Sequence, residues 1–188
     1  LRKALSAYDR EVMRILLARH GHTNFNELGL CNADPKVEVF LTKKGIEQAE
    51  SLKGCLEKYS IQKVYVSDLP RTSETARYCV PNHDSIIQDD RLSDIKTGFE
   101  NRPVQDFLDF IKANPLSIKT PGGESFYDVK ARVHSFIDTL VQSGDDCVLI
   151  ITHMDPAKII TGFFQEFTDS EVWNLEIDNC TLLEFHAS

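Results

Sequence analysis

"ILLARHGHTNFN", residues 15–26, is the stretch on which the reading of this chain turns. Together with the residues before it, Val12 to Ala18 reads as a buried strand, which stops abruptly at Arg19, His20, Gly21 and His22. A strand apolar on both sides belongs in a sheet covered on both faces. Titratable side chains at its carboxyl end stand where such sheets place their ligands. Two chemistries compete at this point. His20 can be a nucleophile beside an anion-binding arginine, or His20 and His22 can be a pair of metal ligands.

Working outward, residues 2–11 look like a short polar helix, so residues 1–12 are expected to form an N-terminal helical extension. After a loop rich in Asn, Gly and Asp, Thr42 can cap a helix whose apolar positions Ile46, Ala49, Leu52, Leu56 and Tyr59 make one face. "KVYVS" (63–67) is a second strand, followed at once by a helix over 70–79. Ile86 and Ile87 suggest a short strand before a polar loop over 89–103, and "VQDFLDFIKAN" reads as a helix. Ser125 and Asp128 are spaced as a capping box for the next helix, whose buried face is Phe126, Val129, Val133, Phe136 and Leu140. "CVLIIT" (147–152) is the most apolar strand. Pro156 suits the first position of the helix after it, with Asp155 as its N-cap. Trp173, Leu175 and Ile177 alternate, Asp178-Asn179 breaks the run and "CTLLEF" resumes it, which predicts a closing hairpin. Strands alternating with helices imply an α/β three-layer sandwich, a mainly parallel sheet flanked by helices. No linker or repeat interrupts residues 1–188, so one domain is expected.

The bulk properties are those of an ordinary globular protein: 188 residues, 41% apolar and 27% charged. A net charge of −8 argues against general affinity for nucleic acid or acidic membrane surfaces. It also makes a local cluster of arginine and histidine more informative. The five cysteines are scattered and include no C-x-x-C pair, which fits reduced thiols in a cytoplasmic protein. No run is long and apolar enough to read as a bilayer span. A homodimer stays open.

The useful question is which residues follow each strand. Arg19-His20 follow the first, "SDLPRTSETA" with Arg71 follows the second, and Thr152-His153 close the "CVLII" strand. Three segments thus bring two arginines and two histidines to one sheet edge. Two guanidiniums and nearby helix N-termini suit a dianion such as phosphate. In such a pocket a neutral imidazole can attack phosphorus and carry the phosphoryl group. A second imidazole, if cationic, can stabilise charge on the equatorial oxygens.

"RHGHTNFN", "SDLPRTSETA", "PGGES", "THMD" and "NCT" occur in the order and approximate spacing of the histidine phosphatase superfamily, the phosphoglycerate-mutase-like group, which the chain resembles over about residues 13–185. The resemblance implies a phosphoglycerate-mutase-like fold and a phosphatase in which His20 becomes phosphorylated. It implies that Arg19, Arg71 and His153 bind the phosphoryl group, with Asn26 and Thr23 beside them. No metal and no cofactor are implied, and the partner is a small phosphorylated substrate. Where relatives place a glutamate as the acid that protonates the leaving oxygen, this chain has Asp94. Aspartate is shorter by one methylene, about 1.5 Å of reach. Asp89, Asp90 and Glu100 are its rivals for that role.

Two further departures follow from the same alignment of motifs. His22 replaces a carboxylate or amide, which gives it a supporting role. Met154-Asp155-Pro156 replaces small residues after His153, and Asp155 puts a negative charge near the phosphate unless it points away. Lys96, Arg102 and the loop around Phe99 are expected to shape the mouth. Hydrolysis is the first reading, with a phosphoglycerate-mutase-type phosphotransferase as its nearest alternative. A metal-dependent hydrolase using His20, His22, His153 and Asp155 is another, and it leaves Arg19 and Arg71 unexplained. A catalytically silent phosphate-binding protein is the third.

Overall fold

The computed structural model describes residues 12–187, so the helix expected over 2–11 lies outside the described residues. Strands β1 (Met13–Arg19), β2 (Lys63–Val66), β3 (Ile86–Gln88), β4 (Cys147–Thr152) and β5 (Leu182–Ala187) form one sheet in the order β3-β2-β4-β1-β5. The first four are parallel, and β5 runs antiparallel along β1. The helices are α1 (Asn24–Leu28), α2 (Lys43–Leu56), α3 (Pro70–Cys79), α4 (Val104–Ile111), α5 (Phe126–Val141), α6 (Met154–Gln165) and α7 (Asp169–Trp173).

The period-2 alternation of the strands divides the apolar residues between two cores. Ile15, Leu17, Val148 and Ile150 join Phe126, Val133, Phe136 and Leu140 of α5 and Ile160 of α6. Leu16, Ala18, Leu149 and Ile151 join Leu52 and Leu56 of α2 and Ala76 and Cys79 of α3. Helices therefore cover both faces, giving the expected three layers. Each fully buried Leu, Ile or Phe side chain contributes about 1.5–3 kcal/mol by leaving water. Ser125 caps α5 in the expected capping box with Asp128, and Thr42 caps α2.

Register decides where the chemistry lies. Arg19 pairs with Thr152 at the ends of β1 and β4, and the His20 amide donates to the Thr152 carbonyl at 2.9 Å. His20 and His153 therefore leave adjacent parallel strands side by side. Helix α2 crosses just below: a Cβ on Gly45 would lie 2.0 Å from the His22 carbonyl oxygen, and one on Gly21 2.6 Å from that of Gly45. The two glycines let helix and loop touch backbone to backbone.

Three expectations are corrected. No hairpin closes the chain: Trp173 ends α7, residues 174–181 form no strand, and β5 pairs with β1 without a hairpin partner of its own. A Thr168–Glu171 capping box nucleates that helix, and the Trp173 ring packs edge-on against Phe126 at 5.9 Å. Helix α6 starts at Met154 with His153 as N-cap, so Asp155 and Pro156 sit inside its first turn, where a missing proline N–H costs nothing. Residues 24–28, expected as loop, form the short α1, capped by Thr23 and ended by Gly29 in the left-handed region. No helix among the described residues is long and apolar enough to cross a membrane.

Candidate active site

His20 is buried, and its Nδ1 lies 2.8 Å from the Gly21 carbonyl oxygen. A carbonyl can only accept, so the proton sits on Nδ1 and Nε2 is left unprotonated. Its lone pair receives the Arg71 Nε–H at 3.3 Å. His153 is fully buried with the opposite tautomer: Nδ1 accepts from Arg71 Nε at 3.2 Å, so Nε2 donates to Ser67 Oγ at 2.7 Å. The Leu69 amide donates to the same oxygen, which also meets Thr72 Oγ1. The two rings stand 5.1 Å apart, centre to centre. Burial first, and then the charges of Arg71 and Arg19, hold both imidazoles well below their ordinary value of 6.5. His153 is thus neutral at rest and serves as a positioned hydrogen-bonding group rather than a standing cation.

The two arginines differ. Arg71, the second residue of α3, is buried and commits every nitrogen: Nε to both imidazoles, Nη1 to Asn32 Oδ1 (3.2 Å), Nη2 to the Asn32 carbonyl (3.0 Å) and Asp94 Oδ2 (3.0 Å). Arg19 gives one bond, from Nη1 to the Ile177 carbonyl at 2.9 Å, and its buried Nε has no partner. Burial lowers the pKa of both, yet guanidiniums remain cationic. Arg19 is thus a cation with an unused donor at the nucleophile's side. The first turn of α6, whose amides receive no side-chain cap from His153, adds its partial positive charge at the same place.

Asp94 is carried on a strap that is tied down from two sides. Thr152 Oγ1 donates to the Leu92 carbonyl at 2.6 Å. Arg132 gives Nη1 to the carbonyls of Arg91 (2.8 Å) and Ser93 (2.7 Å) and Nη2 to that of Asp94 (3.1 Å). Arg132 is itself paired with Glu124 at 2.9 Å. The strap brings the aspartate's Oδ2 to 3.0 Å from Arg71 Nη2 and 3.7 Å from His153 Nδ1. Its rivals point elsewhere: Asp89 pairs with Arg91, Glu100 accepts from the Ala33 amide, and neither they nor Asp90 line the pocket.

The pocket has a volume of about 460 Å³ and gathers Arg19, His20, Thr23, Asn26, Arg71, Asp94 and Asp155, within the ordinary range for small-molecule sites. Thr23 and Asn26 form the capping box of α1: Asn26 Oδ1 accepts from the Thr23 amide, which fixes the amide group of Asn26 at the pocket wall. His22 turns away, with Nδ1 2.9 Å from Thr42 Oγ1. Among the described residues no three His, Cys, Asp or Glu side chains converge to hold a metal ion, so the His20/His22/His153/Asp155 set does not form. Lys96, Arg102 and Phe99 do not line the pocket either: Lys96 is exposed, while Arg102 pairs with Asp106 and stacks on Phe99 at 4.3 Å. A chain with its own carboxylate partner beside an aromatic ring satisfies Arg102 locally.

Asn32, Arg132 and Asn179 escape a reading of the sequence. Asn179 Nδ2 donates to the His20 carbonyl at 2.7 Å, and the Cys180 amide to the Arg19 carbonyl at 2.8 Å, so the 177–180 turn braces the Arg19-His20 peptide. The "NCT" motif was the available signal for Asn179. Asn32 and Arg132 sit in no pattern that marks them.

Comparisons with known proteins give the family and the fold. The chain is 24% identical over 189 residues to phosphoserine phosphatase 1 of Hydrogenobacter thermophilus, covering 93% of this chain and 87% of the relative. It is 26% identical over 172 residues to a 2,3-bisphosphoglycerate-dependent phosphoglycerate mutase of Thermoplasma acidophilum, covering 89% and 84%. The crystal structure of the α-ribazole phosphatase from Shigella flexneri superposes with a TM-score of 0.81 at 25% identity, covering 92% of this chain and 89% of that one. Residues 15–188 match the histidine phosphatase superfamily (branch 1), and the chain belongs to that family.

Proposed function

We propose that the protein is a metal-independent phosphatase that hydrolyses phosphomonoesters through a phosphohistidine on His20. The observation that carries this reading is that an unprotonated His20 Nε2, held by a single hydrogen bond from Arg71, and Arg19, whose buried Nε has no partner, line one pocket. A nucleophile and an unused cationic donor stand together, and Arg71, already committed to both imidazoles, aligns the rings.

In the first step His20 Nε2 forms a bond to phosphorus, the bond from phosphorus to the leaving oxygen breaks, and Asp94 gives that oxygen a proton. In the second, water attacks phosphorus, Asp94 takes the water's proton, and the P–N bond breaks to restore the neutral imidazole. Arg19, Asn26 and the first turn of α6 hold the phosphoryl oxygens, while His153, whose two nitrogens are taken by Arg71 and Ser67, fixes Arg71 Nε beside the nucleophile. Guanidinium charge supplies what a metal ion supplies in other phosphatases. Hydrolysis is favoured over mutase chemistry because Lys96 and Arg102, the expected grip on a second phosphate, lie away from the pocket. Several relatives named as phosphatases support the same choice.

The test is release of phosphate from p-nitrophenyl phosphate in the presence of EDTA. Turnover that survives the chelator, is inhibited by vanadate and disappears in His20→Ala supports the reading. Turnover restored by zinc after chelation, or undiminished in His20→Ala, refutes it.

A further inference from the structure

Besides the exposed Glu176, the pocket holds two opposite charges that the proposed chemistry leaves unused. Asp155 and Lys158 stand three residues apart on the first turns of α6, hence on one face, and both line the pocket. They do not neutralise each other: among the described residues, no ion pair within 4.0 Å joins them and Asp155 accepts no hydrogen bond. Lys158 is 8% exposed and makes one hydrogen bond, to the neutral Trp173 carbonyl at 3.2 Å, with its ammonium 5.9 Å from the Trp173 ring centre. A buried ammonium with a single neutral partner and a half-buried carboxylate with none both cost folding free energy. Elsewhere around the site Arg71 is matched by Asp94 and Arg132 by Glu124, and Arg19 is the cation assigned above to the phosphoryl group.

We propose that Asp155 and Lys158 form a zwitterion-recognising subsite for the leaving group, with the substrate's α-ammonium at Asp155 and its α-carboxylate at Lys158. The substrate class is then the phosphorylated hydroxy-amino acid. This rests on the phosphatase reading above and adds the identity of the group that leaves. Scale agrees: Lys158 is five residues beyond His153, about 7.5 Å along the helix axis, the reach of a small amino-acid phosphate and well short of a nucleotide. Chemistry agrees too. A site with one charge of each sign discriminates against a substrate carrying only one of them, because the other buried charge is then left unmatched. Asp155 also answers the concern that its charge would repel the phosphate: it sits beside Lys158 and Arg19, and a bound ammonium would complete its neutralisation.

The experiment compares kcat/KM for O-phosphoserine, phosphoethanolamine (no carboxylate) and the phosphate ester of 3-hydroxypropionate (no ammonium), each divided by the rate on p-nitrophenyl phosphate. Phosphoserine should exceed both truncated esters by about tenfold or more, the size expected for a charged hydrogen bond. Lys158→Met should close the gap to phosphoethanolamine, and Asp155→Asn the gap to the hydroxypropionate ester. Comparable values for all three esters in the wild type, or gaps untouched in both variants, overturn the proposal. If p-nitrophenyl phosphate itself is not hydrolysed, the phosphatase reading fails. Calorimetric binding of O-phosphoserine and phosphoethanolamine to His20→Ala then still judges the subsite, and equal affinities overturn it.

Discussion

At His20 and His153 burial works against charge. Desolvation and the field of Arg71 and Arg19 hold both rings neutral, which keeps the His20 lone pair available on the acid side of neutrality. Nitrogen-detected NMR of the ligand-free protein should show both imidazoles neutral at pH 6, with the proton on Nδ1 of His20 and on Nε2 of His153. Protonation of either ring at that pH would contradict the assignment. Asp155 shows the opposite shift. Burial, and then the nearby charge of Asp94, push its carboxyl from 3.8 up to about 6. The folded pKa is therefore raised above the unfolded one, so the folded state holds a proton that the unfolded chain releases. Stability falls as pH rises from about 4 to about 6, and the whole cost is present above that window. Asp155→Asn should raise stability by on the order of 1–3 kcal/mol at pH 8 and by little at pH 4, read from urea denaturation at both values. An equal effect at the two pH values would remove the electrostatic explanation.

At the scale of elements, the site depends on segments that a local sequence pattern does not connect. The Asp94 strap has no hydrogen-bond ladder of its own and takes its position from Arg132, in the second turn of α5, and from Thr152 at the end of β4. Arg132→Met should lower kcat by about tenfold or more while changing KM little, because in the proposed mechanism the strap carries the acid and Arg19 holds the phosphate. A rise in KM with kcat unchanged would move the strap's role to binding. The same contrast explains what the sequence could and could not reveal. Apolar runs placed β1, β2 and β4 to within a residue, and the Ser125–Asp128 and Thr42 caps placed α5 and α2, since each signal is local. Residues 173–177 misled because alternation over five positions fits a strand as well as the end of a short capped helix. The Thr168–Glu171 box, eight residues upstream of Ile177 at its mid-point, was the deciding cue.

At the scale of the molecule, the parallel order of β2, β4 and β1 brings three sequence-distant strand ends to one edge. That is why Arg19, His20, Arg71 and His153 could be grouped from the sequence: topology delivers them whatever the intervening loops do. Asn32, Arg132 and the Asp155–Lys158 pair were illegible, because their importance lies in three-dimensional neighbours rather than in position along a strand. For Lys96 and Arg102 the same limit worked the other way. Their charges are in the right part of the sequence, and Arg102 is absorbed by Asp106 and Phe99 outside the pocket. A net charge of −8 makes the pocket's arginines a local reversal of the surrounding field, so phosphate capture should weaken as salt rises.

The most direct measurement is a rapid acid-free quench of the protein with phosphorus-labelled O-phosphoserine or p-nitrophenyl phosphate, followed by peptide mapping. The account predicts label on the peptide containing His20, stable to alkali, lost in mild acid and absent from His20→Ala. Steady turnover with no label on His20 at any time point would contradict it.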